Sequence, residues 1–208
     1  MKRTLFLFAA FIMMSVSTNS FAQFMGGNGN RGRIVSDSFN TFWLGYAPTN
    51  WKVGDSSESG YNTFSLGITH MSSLSGSAVF FECGAYVDWM NKSKSKNTYN
   101  FVDVKIPINL MYPLAIADGI TFYPYAGLNV RGFVLGKHTY KSGEVSVDTD
   151  FFGENSNFNR FGLGYQVGLC AQLSGFFARI GYEDMFTSIH KDNIQKFNYF
   201  TLGIGIPF

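Results

Sequence analysis

The chain has 208 residues, of which 14% are charged, against about a quarter in an ordinary soluble domain. Aromatics make up 18%, with 23 Phe and 23 Gly, and the formal net charge is +2. That balance excludes a disordered chain, argues against a cytosolic surface and gives no reason to expect a nucleic-acid partner. Two cysteines, Cys83 and Cys170, are too few for a disulfide framework or a cysteine zinc site.

Lys2 and Arg3 precede the apolar run "TLFLFAAFIMMSV" and the small-x-small triplet Ser20-Phe21-Ala22. This predicts a secretory signal peptide over 1–22, cut between Ala22 and Gln23; the alternative is an uncleaved anchor. No other stretch reaches the ~18 to 20 apolar residues that a membrane helix needs. Residues 23–37, "QFMGGNGNRGRIVSD", read as a flexible lead-in, and 38–208 as one domain.

From there the period is two. The first strand, around 39–47, has apolar groups on both faces. In the second, Phe64, Leu66 and Ile68 oppose Thr63, Ser65 and Thr69. The third is "SAVFFECGAYVDWM", where Val79, Phe81, Val87 and Trp89 oppose Glu82, Gly84, Tyr86 and Asp88. In the fourth, "VDVKIPINLMY", Val102, Val104, Ile106, Ile108 and Leu110 oppose Asp103, Lys105, Pro107 and Asn109. Pro107 cannot donate to a ladder, so a bulge is expected there. The fifth sets Phe122, Ala126, Leu128 and Val130 against Tyr125, Gly127, Asn129 and Arg131. The sixth sets Phe161, Leu163, Val167 and Leu169 against Arg160, Gly162, Gly164, Gln166 and Gly168. The seventh puts Arg179, Gly181 and Glu183 on its polar face but Asp184 on the apolar one; a bulge or a strand end would remove that conflict. The eighth closes the chain, with Phe200, Leu202, Ile204, Ile206 and Phe208 on one face.

Connections after strands 1, 3, 5 and 7 are expected to be long and polar: 48–60, "NKSKSKNT", 137–159 and 187–196. Those after strands 2, 4 and 6, "SSLSG", "PLAIADG" and "SG", are short. One long rim and one short rim is the layout of an outer-membrane barrel. A soluble lipocalin-like barrel also alternates, with its apolar face inward. Two features favour apolar outward. Glycine fills the polar face, which suits a narrow lumen. Aromatics gather at strand ends, Trp89 and Phe161 at the loop rim and Tyr112, Phe122 and Phe208 at the turn rim, as an interfacial girdle does. The fold class is therefore all-β, an eight-stranded antiparallel up-and-down transmembrane β-barrel.

"VDVKIPINLMYPL", "FYPYAGLNVRGFVLG" and the closing "FTLGIGIPF" resemble strands of the small outer-membrane barrels of the OmpA and OmpX type, and of the PorT-like family of Bacteroidetes. The resemblance implies an integral protein of a Gram-negative outer membrane, with Phe208 as the signal read by the barrel-assembly machinery.

An inward polar face would gather Glu82, Asp88, Asp103 and Glu183 against Lys105, Arg131, Arg160 and Arg179. Unpaired charge in a dry interior is costly, so these groups should form an ionic network. Glu82 falls diagonal to Lys105, and Asp103 to Arg131. The set reads as a structural plug; the alternative is a conduction path through a narrow pore.

The histidines are His70, His138 and His190; Ser188, His190 and Asp192 stand close in sequence, which is weak evidence for a triad. No catalytic residue, cofactor site or metal site is assigned, and Asn155-Ser156-Asn157 lacks calcium-loop carboxylate spacing. The alternative is a barrel enzyme acting on envelope lipids. Lys92, Lys94 and Lys96 form a comb that could meet lipopolysaccharide phosphates or simply keep a loop soluble. The loop 137–159 carries Tyr140, Phe151, Phe152 and Phe158, which either form an extracellular binding surface or fold back over the rim. The expected partners are outer-membrane lipids, lipopolysaccharide and an extracellular ligand of that loop, with the barrel itself a monomer.

Overall fold

The computed structural model describes residues 38–74, 78–143, 145–153 and 156–208. The predicted signal peptide, its Ala22–Gln23 cut and the lead-in 23–37 lie outside the described residues. The strands are β1 (Ser38–Val53), β2 (Ser56–Ser73), β3 (Phe80–Lys94), β4 (Asn97–Met111), β5 (Leu114–Ala117), β6 (Ile120–Ser142), β7 (Val145–Asp150), β8 (Phe161–Leu173), β9 (Phe176–Met185) and β10 (Gln195–Pro207). Each long strand pairs antiparallel with its neighbours in the order β4-β3-β2-β1-β10-β9-β8-β6, and β4 pairs with β6 to close the ring. The closed circuit leaves no free edge in the wall, which is what a strand protein needs in an apolar medium. Two short strands stand outside the ring. β5 folds back on the start of β6 at the turn rim, and β7 extends β6 as a hairpin at the loop rim.

The alternation of β4 resolves with its polar face inward. Asp103, Lys105, Pro107 and Asn109 are buried, whereas Ile108 and Leu110 are exposed. The same choice holds around the ring: Leu44, Phe64, Val87, Leu128, Leu163, Phe200 and Ile204 all point out. An apolar surface this continuous calls for lipid or a partner to cover it.

Pro107 sits in register, opposite Asn129 of β6, with no bulge. Facing β3, the paired residues run Cys83↔Ile108 and then Tyr86↔Lys105, so the missing N–H leaves a gap in the ladder without shifting it. The bulge in this part of the wall lies one turn higher, between Val102 and Asp103 against β6. Asp184 is likewise in register, opposite Asn198 and Tyr165, with no bulge; it is the last residue of β9 paired to β10, and the strand ends at Met185, so the strand end is what accommodates it.

Two of the expected long connections are strand. β1 and β2 meet through a turn at Gly54 and Asp55, and β3 and β4 through Ser95 and Lys96. Gly54 and Ser95 both adopt positive φ, 59° and 55°, the conformation a tight hairpin asks for. Polar residues do not end a strand that has risen beyond the apolar layer. There both faces meet polar surroundings, and cross-strand pairs such as Ser93–Thr98 continue the ladder.

Candidate functional site

The lumen is filled in three layers. In the middle, Arg131 of β6 stretches across the axis: its guanidinium donates to Asp88 Oδ2 (2.9 Å), Asp103 Oδ1 (3.0 Å) and Glu183 Oε2 (2.6 Å). Lys105 donates to Glu183 Oε1 at 2.9 Å and lies 3.5 Å from Asp88 Oδ2. A second unit lies toward the turn rim, where Arg179 meets Glu82 Oε1 at 2.6 Å. Asn109 donates to the other oxygen of Glu82 (2.7 Å) and accepts from Gln166 (2.6 Å). Arg131 also lies over the Tyr199 ring at 4.2 Å, and Arg179 over Trp43 at 4.1 Å. Every carboxylate in this layer therefore faces a cation, and the cations face rings where carboxylates run out.

These contacts revise the sequence expectations in two ways. Glu82 is neither diagonal to Lys105 nor paired with it: it stands opposite Asn109, with Lys105 opposite Tyr86, and reaches across the lumen from β3 to Arg179 on β9. Arg160 does not enter the network. It precedes β8, and its guanidinium donates to the carbonyls of Phe133 (3.3 Å), Val134 (3.2 Å) and Phe152 (2.5 Å). The lumen set is thus Glu82, Asp88, Asp103 and Glu183 against Lys105, Arg131 and Arg179. Asp103 and Arg131 do meet.

Aromatic layers lie on either side. Toward the turn rim, Trp43, Met71, Tyr86, Met111, Tyr123, Tyr125, Cys170 and Phe177 pack together. Toward the loop rim, Trp51 is surrounded by Tyr61, Tyr99, Phe101, Phe151 and Phe197, all with ring centroids within about 6 Å. Phe152 stacks on Phe133 at 5.6 Å. The absence of a side chain at Gly136 makes room for it, since a Cβ there would strike the Phe152 ring. The loop aromatics Phe151, Phe152 and Phe158 therefore fold back over the rim, held there by Arg160, while Tyr140 stays exposed. Within the lumen, the cavity beside Lys105, Tyr86 and Arg179 amounts to about 40 Å³, room for a few waters and not for a channel.

The girdle residues lie on the outer wall. Trp89 is 51% exposed, Phe161 75% and Tyr112 49%, while Phe122 and Phe208 are half-buried. Phe208 donates its backbone N–H to Asn40 of β1 (2.9 Å). Lys92 departs from the comb with Lys94 and Lys96: it turns inward, donates to Glu58 Oε1 at 2.6 Å and lies over the Tyr61 ring.

Above the aromatic cap an open groove of about 500 Å³ is lined by Thr149, Asp150, Phe151, Ser156, Phe158 and His190. Phe158 forms a β-bridge with His190 and meets its ring edge-on at 4.8 Å. His190 Nδ1 accepts from the backbone N–H groups of Asp192 (3.1 Å) and Asn193 (3.2 Å), so it is engaged in holding the turn. Ser188 bonds to backbone around His190 and not to its ring. His138 is inside the cap, stacked on Tyr99 at 4.5 Å and bonded to Asn97. His70 is at the opposite rim with Asn40. The three histidines are therefore apart, and none faces a nucleophile. Among the described residues no cluster of His, Cys, Asp and Glu has the grouping to hold a metal ion. The groove was invisible to sequence reasoning because His190 and Phe158 meet only once β9, β10 and the loop before β8 are assembled.

No family model matches the chain, and no curated protein matches it. Solved structures do. The attachment invasion locus protein Ail of Yersinia pestis is 16% identical, with 83% of this chain and 99% of that one covered and a TM-score of 0.51. The outer membrane enzyme PagL is 13% identical, with 81% and 99% covered and a TM-score of 0.52. At such identities the likeness is one of fold, and the fold is the eight-stranded antiparallel barrel of small outer-membrane proteins.

Proposed function

We propose that this chain is an integral outer-membrane barrel whose lumen is a structural plug and whose activity is a binding one, carried by the loop-rim surface around Phe158 and His190. The observation that carries this reading is the filled lumen: an ionic layer between two aromatic layers leaves no path for solutes. A wall that is apolar outside and closed on itself matches a bilayer, and the loop rim offers a broad groove that polar and aromatic groups share. Secretion by a cleaved signal peptide and delivery through the C-terminal Phe208 belong to the same reading. So does the PorT-like, Bacteroidetes resemblance.

The test is fractionation of cells expressing the full chain, then gel mobility with and without boiling, then recording in planar bilayers. Recovery in the outer membrane, a heat-dependent mobility shift and no conductance are expected. Soluble recovery without a shift would sink the barrel reading, and steady conductance that changes in Lys105→Gln would sink the plug. The enzymatic alternative predicts altered lipid A on expression, abolished by His190→Ala; unaltered lipid A is expected here.

A further inference from the structure

Near the loop rim the outer wall changes from apolar groups to amides. Five successive strands, β10, β1, β2, β3 and β4, each carry an asparagine there: Asn50, Asn62, Asn91 and Asn100 are exposed or half-buried, while Asn198 is buried behind Asn50. In the ladders Asn50 stands opposite Asn198, Asn62 opposite Asn91, and Asn91 opposite Asn100. Asn50 donates to Asn198 Oδ1 at 2.9 Å, Asn91 to Asn100 Oδ1 at 2.5 Å, and the Tyr46 hydroxyl to Asn62 Oδ1 at 2.6 Å. A row kept in register climbs around a barrel of tilted strands. Asn50, with Asn198 opposite it, lies two residues nearer the loop rim than Pro48, the ladder partner of Asn62, so the amides form a stepped collar.

Below the collar the wall is apolar, with Leu44, Phe64, Trp89 and Phe200 exposed. At its two ends stand cations. Lys52 is steadied by Asp184 (3.2 Å), which also accepts from the Tyr182 hydroxyl, and Lys137 lies opposite Asn100. Each amide has two N–H donors and a carbonyl with two lone pairs, and the bonds named use only one of these per residue. A band of neutral donors and acceptors immediately above an apolar wall suits a lipid whose headgroup presents hydroxyls and amides. Phosphates alone would be better met by a row of lysines.

We infer that this collar binds the saccharide headgroup of an outer-leaflet glycolipid through its amides, since Lys52 and Lys137 are already paired with Asp184 and Asp148. The inference rests on the outer-membrane reading with the loop rim facing outward. The asparagines act as hydrogen-bond partners for the sugar, and the girdle below them receives the acyl chains.

The test uses the full-length mature chain folded into phosphatidylcholine vesicles, alone or with added lipid A, and follows the heat-dependent mobility shift. Lipid A should raise the midpoint of the wild type by roughly 5–10 °C, the size expected for a ligand at about a hundred times its dissociation constant. Asn50→Ala/Asn62→Ala/Asn91→Ala should lose most of that increment. If the triple variant does not fold, Asn91→Ala alone should lose part of it. An equal increment in wild type and variants, no increment at all, or the same increment with phosphatidylglycerol in place of lipid A would overturn the collar. A chain with no heat-shifted form in any vesicle would instead overturn the barrel reading beneath it.

Discussion

Arg131 is the residue on which the lumen turns. It is 1% exposed and bonds three carboxylates. Arg131→Met would leave Asp88, Asp103 and Glu183 with Lys105 alone, and the expected loss is about 3–5 kcal/mol of stability, read as a lowered urea midpoint in micelles. The Glu82–Arg179 pair behaves differently because its partners can be removed together. Glu82→Gln and Arg179→Met should each destabilise, and the double variant should cost clearly less than their sum in a double-mutant cycle. At this scale the alternation of β3, β4, β6 and β9 placed the network residues on one face. It could not say which strand lies across the lumen from which, and that is where Glu82 was matched to the wrong cation. Arg160 departs for a related reason: period two continues onto it from β8, but it precedes the strand, and its side chain turns to the carbonyls of Phe133, Val134 and Phe152.

At the scale of elements, the closest approach is between β4 and β6. A Cβ on Gly127 would collide with the Ile108 carbonyl and Asn109 Oδ1, and would lie 2.8 Å from Asn109 Cα. Gly127→Ala should therefore abolish the compact gel form, whereas Gly143→Ala at the β6–β7 turn should leave the barrel intact and disturb only the hairpin. That hairpin has its own electrostatic tie. Hydrogen bonds from Lys137 (2.7 Å) and Thr139 hold the Asp148 carboxyl below the usual carboxylate range. A carboxyl lowered on folding contributes above its unfolded pKa, about 3.9, and loses that contribution as pH falls through the lowered value. Protection of the β7 amides, taken against the intrinsic exchange rate at each pH, should therefore be steady from neutral pH down to about 4 and fall below it, and Asp148→Asn should remove that dependence. Strand number and face were readable from periodicity. Strand length was not, because residues 48–60 and 91–98 are polar and only their cross-strand partners show them to be ladder.

For the whole molecule, the balance lies between an outside that lipid must cover and an inside whose charges must be paired away from bulk water. The plug meets the second requirement with charge in the centre and aromatic rings at both ends. Replacing Phe151, Phe152 and Phe158 together by Ala would open the cap and admit water to the level of Tyr199, yet conductance is expected to stay absent, because Arg131 and its three carboxylates still fill the middle. Steady current through that variant would show that the cap, and not the ionic layer, closes the barrel.

The distribution of the ion pairs has a consequence for assembly. Among the described residues, those inside the lumen join β3, β4, β6 and β9 and none joins β1 to β10. Where the first and last strands meet, Gly45 faces Gly203 and the polar stitching is on the outside, through Asn50–Asn198 and the nearby Lys52–Asp184, while inside Trp51 packs on Phe197. The wall thus has a seam. It can be the last part to zip during insertion and the first to part again, leaving the ionic network undisturbed, so its backbone amides should exchange ahead of those of β4 and β6.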